Sequence, residues 1–230
     1  MHSYLEGFLS LFFPRCCEAC GNQLVTQEEI LCLSCQVKLP RARLHDQIDN
    51  RIERLFWGRA DICAATAFLK MPRKSVVHHL IHELKYNNNR EVGVKLGKLL
   101  GQELQLSTRM NQFDVVIPVP LHPKKLAIRG YNQCDYIAEG ISHVLMSEVS
   151  KDNLIRTKFN ASQTRKKRFD RWENVESIFE IKFPDALQHK RVLLVDDVIT
   201  TGSTIEACAN SLNKIDGLQL FVASIAFPLR

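Results

Sequence analysis

The sequence predicts an α/β protein built on a parallel sheet of the doubly wound kind. Apolar runs without polar alternation recur along the chain, which suggests strands covered on both faces. Helical apolar periodicities separate those runs, which suggests parallel crossovers. A third observation is the stretch "VLLVDDVITTGST" at 192–204, where an apolar run ends in two carboxylates and then in hydroxylic residues around Gly202. Such sheets bind ligands at the carboxyl ends of their strands, and that is where this stretch puts its polar side chains.

The elements follow in order. In "MHSYLEGFLSLFFP", Leu5, Phe8, Leu9 and Phe12 fall at i, i+3, i+4 and i+7, which predicts a short amphipathic helix docked on the body. The stretch lacks a basic leader and a small-residue cleavage site, and it is too short to span a bilayer. A cytoplasmic protein with no stable membrane insertion is the expectation. "DICAATAF" at 61–68 reads as a strand, and Val76, Val77, Leu80, Ile81 and Leu84 mark one helix face. Val92, Leu96, Leu99 and Leu100 mark a second helix, after which "FDVVIPVP" at 113–120 is a short buried strand stopped by Pro118 and Pro120. A polar loop then leads to a helix through Tyr136, Ile137, Ile141, Val144 and Leu145. "VLLV" at 192–195 and "LFVASIAF" at 220–227 are two more strands, separated by a helix through Ile205, Cys208, Ala209 and Leu212.

With 230 residues, 45% apolar and 24% charged, the chain has the composition of an ordinary globular protein rather than a disordered one. That length suits one main domain, expected over 46–230, and a small appendage over 1–45.

The appendage holds two C-x-x-C knuckles, Cys17 with Cys20 and Cys32 with Cys35. Four thiolates so spaced can surround one tetrahedral zinc ion. An iron–sulfur cluster is the alternative, while disulfides are disfavoured without a secretory signal. Zinc with four protein ligands has no open position for water, so it would staple the fold or shape a docking surface. Cys63, Cys134 and Cys208 lie in apolar-periodic stretches and read as packing residues.

The net charge of +6 is concentrated in "RTKFNASQTRKKRFDR" at 156–171, where seven cations face one aspartate. Arg165, Lys166, Lys167, Arg168 and Arg171 stand among Phe159, Phe169 and the neighbouring Trp172. The run reads either as a solvated loop or as a nucleic-acid-binding segment, since cations interleaved with aromatics suit phosphates and bases.

At the opening stretch, Asp196 and Asp197 fall where the strand ends. Paired carboxylates accept hydrogen bonds from the vicinal hydroxyls of a ribose, or hold a hydrated divalent cation. Thr200, Thr201, Gly202, Ser203 and Thr204 then make an anion-binding turn at a helix start, so the two halves together describe a sugar phosphate. In the plainer reading the aspartates are loop residues and Ser203 or Thr204 caps the helix. Neither GxxxxGK[ST] nor GxGxxG occurs, which removes support for nucleoside-triphosphate hydrolysis and dinucleotide binding. His122, after "PVPL", reads as a phosphate contact or as a residue flanking a helix.

"VLLVDDVITTGST" resembles the phosphoribosyl-pyrophosphate signature of type I phosphoribosyltransferases. The rest of the chain resembles the ComF/GntX family through the double C-x-x-C, "LKY" at 84–86, "IPVPLH" at 117–122, "RGYNQ" at 129–133, "RT" at 156–157, "SQT" at 162–164, Arg168 and "RWENV" at 171–175. The resemblance implies a type I phosphoribosyltransferase-like sheet flanked by helices behind a zinc subdomain with four cysteine ligands. It assigns Asp196 and Asp197 to the ribose hydroxyls and the residues Thr200 to Thr204 to the 5′-phosphate. Arg129, helped by Lys85, then grips pyrophosphate with Mg²⁺. The basic segment corresponds to a loop that closes over the site in such enzymes. The family is also linked to natural transformation and DNA use, which implies single-stranded DNA and proteins of the uptake machinery as partners. The other function it implies is transfer of ribose 5-phosphate to a small nucleobase-like acceptor.

Overall fold

The structure, a computed structural model, describes residues 14–157 and 178–229. The N-terminal stripe of Leu5, Phe8, Leu9 and Phe12 lies outside the described residues, as does the basic segment from Lys158 onward.

Chain order is α1 (Leu33–Lys38), β1 (Ala64–Met71), α2 (Val76–Tyr86), α3 (Arg90–Gln105), β2 (Val115–Pro118), α4 (Pro123–Arg129), α5 (Gln133–Leu145) and β3 (Glu148–Val149). There follow β4 (Leu154–Arg156), β5 (Phe179–Ile181), β6 (Arg191–Val198), α6 (Ser203–Leu212) and β7 (Gln219–Pro228). Five strands make one sheet in the order β1-β7-β6-β2-β3, and every pairing in it is parallel. This is the helix-flanked parallel sheet that the sequence predicts.

Both faces are covered, which explains the unbroken apolar runs. Along β6, Leu193 and Val195 point to a core shared with α2, α3 and α5, while Val192 and Leu194 point to a second core shared with α6. On the first face, Leu80, Leu84, Leu96 and Leu100 are almost fully buried, each stabilising by about 1.5–3 kcal/mol relative to exposure. Helices α3 and α5 touch backbone to backbone, since a Cβ on Gly97 would meet the Ile137 carbonyl oxygen at 2.2 Å. Larger residues there would push α5, and whatever its first turn carries, away from α3.

The strand edge of β1 is not left open. Ala42 N–H donates to the Phe68 carbonyl at 2.7 Å and Lys70 N–H to that of Pro40 at 2.8 Å, so residues 40–42 cover it. The segment continues onto the face that α6 covers, where Ile52 and Phe56 are buried, and is pinned by the buried Asn50, whose Nδ2 donates to Ala65 O at 2.8 Å.

Several elements depart from the sequence expectation. The stretch read as a polar loop after Pro120 contains α4, which begins on Pro123 and ends on left-handed Gly130. Proline at the first helical position and glycine just past the last are the ordinary punctuation of a helix, but seven residues carried too little apolar periodicity to announce one. Strands β4 and β5 pair antiparallel apart from the main sheet, anchored to α6 where Ser211 Oγ donates to Phe179 O at 2.8 Å. They bracket residues 158–177. No helix among the described residues is long and apolar enough to cross a membrane.

Candidate functional site

The chain leaves β2 toward α5 on one face and leaves β6 toward α6 on the other, although the two strands are neighbours. That divergence opens a crevice at their carboxyl ends, the usual ligand position in an open α/β sheet. Asp196 and Asp197 are the last polar residues of β6 and stand at its mouth.

Asp197 is buried, with 4% of its surface exposed, and is held from two sides. Lys85 Nζ, from the last turn of α2, lies 2.9 Å from its Oδ1. Gln133 Nε2, from the first turn of α5, donates to its Oδ2 at 2.6 Å. Arg129 Nη1 in turn donates to Gln133 Oε1, and the Arg129 guanidinium lies 5.5 Å from the Tyr86 ring centroid. Lys85, Arg129 and the aspartate pair, far apart in sequence, are thus brought together.

Asp196 points the other way along the extended strand and is partly exposed. Its Oδ1 accepts from Asp197 N–H at 2.8 Å and from the Cys134 thiol at 3.6 Å. Burial of its carboxyl, and then the charge of Asp197, push its pKa up to about 7. Cys134, Asp196 and Asp197 form a cluster with the geometry to hold a metal ion. Burial drives the Cys134 thiol well above its ordinary range, however, so it stands as a proton donor rather than a thiolate ligand.

The loop after β6 behaves as a built turn. Gly202 has φ +77° and precedes α6 without a side-chain cap of its own; Ser203 N–H donates to Thr201 Oγ1 at 3.5 Å, and the next N–H groups of the ten-residue helix face the loop. Ser203 therefore does not cap α6. Thr200, Thr201, Ser203 and Thr204 are exposed, and Thr201 Oγ1 and Ser203 Oγ stand 3.1 Å apart. Two residues from the 50s hold this loop from below. The Phe56 ring packs under Gly202 so closely that a Cβ there would come within 2.8 Å of it. Arg59 Nη1 donates to Thr201 O at 3.0 Å, and its Nη2 pairs with Glu206 on α6.

Gln133, Cys134, Phe56 and Arg59 escape sequence reasoning. Gln133 had a signal, standing inside "RGYNQ"; Phe56 and Arg59 touch the loop from more than 140 residues away and had none. His122 caps α4 by accepting from Lys124 N–H at 3.1 Å, so it flanks a helix. Arg165, Lys166, Lys167, Arg168 and Arg171 lie outside the described residues.

The four cysteines of the two knuckles converge as the spacing predicts, with Cys17, Cys20, Cys32 and Cys35 in one group that can hold a metal ion. A zinc ion about 2.3 Å from each of four sulfurs would set them roughly 3.8 Å apart. The Cys20 and Cys32 sulfurs stand 3.8 Å apart. Amides point at the sulfurs, Cys32 N–H to Cys17 Sγ at 3.3 Å and Cys35 N–H to Cys32 Sγ at 3.4 Å. Burial raises the Cys17 thiol, but the amides of Cys32, Ala19 and Cys20, with the Cys20 thiol, outweigh it and bring the pKa down to about 7. Leu24, Leu31 and Leu39, around the cluster, bury into the same core as α2 and α3.

The chain is similar to proteins named for DNA utilisation and competence. It is 31% identical to DNA utilization protein YhgH of Salmonella typhimurium over 136 residues, covering 58% of this chain and 59% of that one. It is 30% identical to Competence protein F of Haemophilus influenzae over 151 residues, covering 64% of this chain and 66% of that one. The match thus spans 59% of the length of the first relative and 66% of that of the second. No family model matches it. Among solved structures, the glutamine phosphoribosylpyrophosphate (PRPP) amidotransferase from B. subtilis complexed with ADP and GMP aligns with a TM-score of 0.44 and 20% identity, covering 62% of this chain and 30% of that one.

Proposed function

We propose that the chain is a phosphoribosyltransferase-like protein of DNA uptake and use, which binds phosphoribosyl pyrophosphate or a nucleotide end in the β6 crevice and single-stranded DNA on its basic segment. The observation that carries this reading is the meeting of the Asp196–Asp197 pair with Lys85 and Arg129 beside the uncapped 200–204 turn. Carboxylates accept from vicinal hydroxyls, amides and hydroxyls at a helix start receive a phosphate, and two cations suit a pyrophosphate. Mg²⁺ would arrive with the pyrophosphate and neutralise it, for which the Asp196 carboxylate would offer an oxygen ligand. The relatives named for DNA utilisation and competence support the DNA role. The cysteine cluster would hold structural zinc.

The same cations favour a second reading, a true phosphoribosyltransferase acting on a small acceptor. Departure of pyrophosphate from an oxocarbenium-like sugar needs its charge neutralised, and Lys85 and Arg129 stand where that would be done.

Calorimetric titration of phosphoribosyl pyrophosphate with Mg²⁺ tests the crevice. Binding by the wild type that disappears in the Asp196→Asn, Asp197→Asn variant is expected, and no binding by folded wild type would reject the reading. For DNA, neutralising Lys166, Lys167 and Arg168 should weaken binding and flatten its salt dependence, because counterion release dominates such affinity. Mg²⁺-dependent pyrophosphate release with a nucleobase would favour the second reading.

A further inference from the structure

Arg129, Gln133 and Asp197 form a directed chain of hydrogen bonds. A guanidinium only donates and an ionised carboxylate only accepts. The amide of Gln133 therefore has one possible orientation, with Oε1 toward Arg129 and Nε2 toward Asp197, and both contacts are present. Gln133 is itself buried, with 5% of its surface exposed, so water does not replace either bond. Its place is fixed by its neighbour Asn132, which caps α5 and donates from Nδ2 to Val119 O at 3.1 Å, tying the helix start to the end of β2. No other side chain of this length offers one donor and one acceptor: glutamate would set a second carboxylate against Asp197, and methionine would answer neither group.

We propose that Gln133 is a positioning residue that couples the anion-binding and hydroxyl-binding halves of the crevice. The inference rests on the reading of that crevice given above. Bonds in such a chain polarise one another. An anion that takes up the charge of Arg129 weakens its donation to Gln133. The amide then donates less strongly to Asp197, whose carboxylate becomes a better acceptor for sugar hydroxyls. By linkage, hydroxyls that occupy Asp197 free Arg129 for the anion to the same degree. Each half therefore tightens the other, and a ligand carrying both groups is favoured over a phosphosugar or a pyrophosphate alone.

The test uses the 230-residue chain loaded with zinc and calorimetry with three probes: phosphoribosyl pyrophosphate, magnesium pyrophosphate and ribose 5-phosphate. Each of the last two is titrated alone and against saturating amounts of the other. Direct repulsion between the probes is common to all variants, so the quantity of interest is the coupling factor of wild type relative to variant. It should be about fivefold greater in wild type than in Gln133→Leu. Gln133→Asn, which keeps the amide but is one carbon too short to span both partners, should behave like Gln133→Leu and guards against a folding defect in the latter. A purely structural role would lower both separate affinities and leave the factor unchanged, and that result overturns the inference while leaving the crevice reading intact. Wild type that binds none of the three probes overturns both.

Discussion

Lys85 Nζ and Asp197 Oδ1 stand 2.9 Å apart, with the carboxylate side chain 6% exposed and the lysine side chain 22% exposed. The two partners are not equivalent. A lysine cut loose from its acid can turn its stem toward solvent, whereas an aspartate cut loose from its lysine stays where the strand holds it. Lys85→Met is expected to cost about 3 kcal/mol or somewhat more, moderated by the bond that Gln133 still donates. Asp197→Asn should cost clearly less, and the double variant should recover most of the loss. Urea unfolding of the four proteins completes the cycle, and equal costs for the two single changes would show that Asp197 is not held in place as described.

Gly202 is constrained twice over, by φ +77° and by the Phe56 ring that a Cβ would meet at 2.8 Å. Gly202→Ala should therefore destabilise by about 1–3 kcal/mol and displace the 200–204 turn. The expected signature is a lowered melting temperature with weakened binding of phosphoribosyl pyrophosphate. Phe56→Leu, which yields space, should partly restore the melting temperature of Gly202→Ala.

Much of this architecture is legible in the sequence because its physics is local. The runs at 192–195 and 220–227 are apolar on consecutive residues since both faces of the central strands are covered, and that property is written in the strand itself. The aspartate pair and hydroxylic turn are equally local, falling within nine consecutive residues. What the sequence does not announce is whatever depends on a distant partner. Phe56 and Arg59 are an ordinary aromatic and an ordinary cation until the chain returns, nearly 150 residues later, with Gly202 and Glu206. Cys134 read as packing, and its contact with Asp196 arises only because α5 starts at the mouth of β6. Strand β3, two residues long, and the three-residue strands β4 and β5 are too short for any period to register.

The cysteine cluster is predicted to stabilise the whole chain rather than a detachable appendage. Leu24, Leu31 and Leu39 share one core with Leu80, Leu84 and Leu96, so loosening the knuckles exposes part of the main core. Elemental analysis should find one zinc ion per chain. Chelation, or Cys32→Ser, should lower stability by about 2 kcal/mol or more in a single cooperative transition. A separate early transition, with the main one unmoved, would show that the cluster melts on its own.

The carboxyl of Asp196 provides a pH signature. Burial, reinforced by the charge of Asp197, raises its pKa to about 7 in the folded chain, while an unfolded aspartate titrates near 3.8. Between those values the folded protein keeps a proton that the unfolded chain has lost. Stability consequently falls as pH rises through this window, and the whole penalty is felt above about pH 7. Asp196→Asn removes the titration while keeping an oxygen to accept from Asp197 N–H. Measured without Mg²⁺, the variant is expected to be more stable than wild type by about 1–3 kcal/mol at pH 8, with the difference fading toward pH 4. Added Mg²⁺ with phosphoribosyl pyrophosphate should stabilise wild type most strongly at the alkaline end, where the ionised pair has the most repulsion to lose. A stability difference independent of pH would place the proton elsewhere than on Asp196.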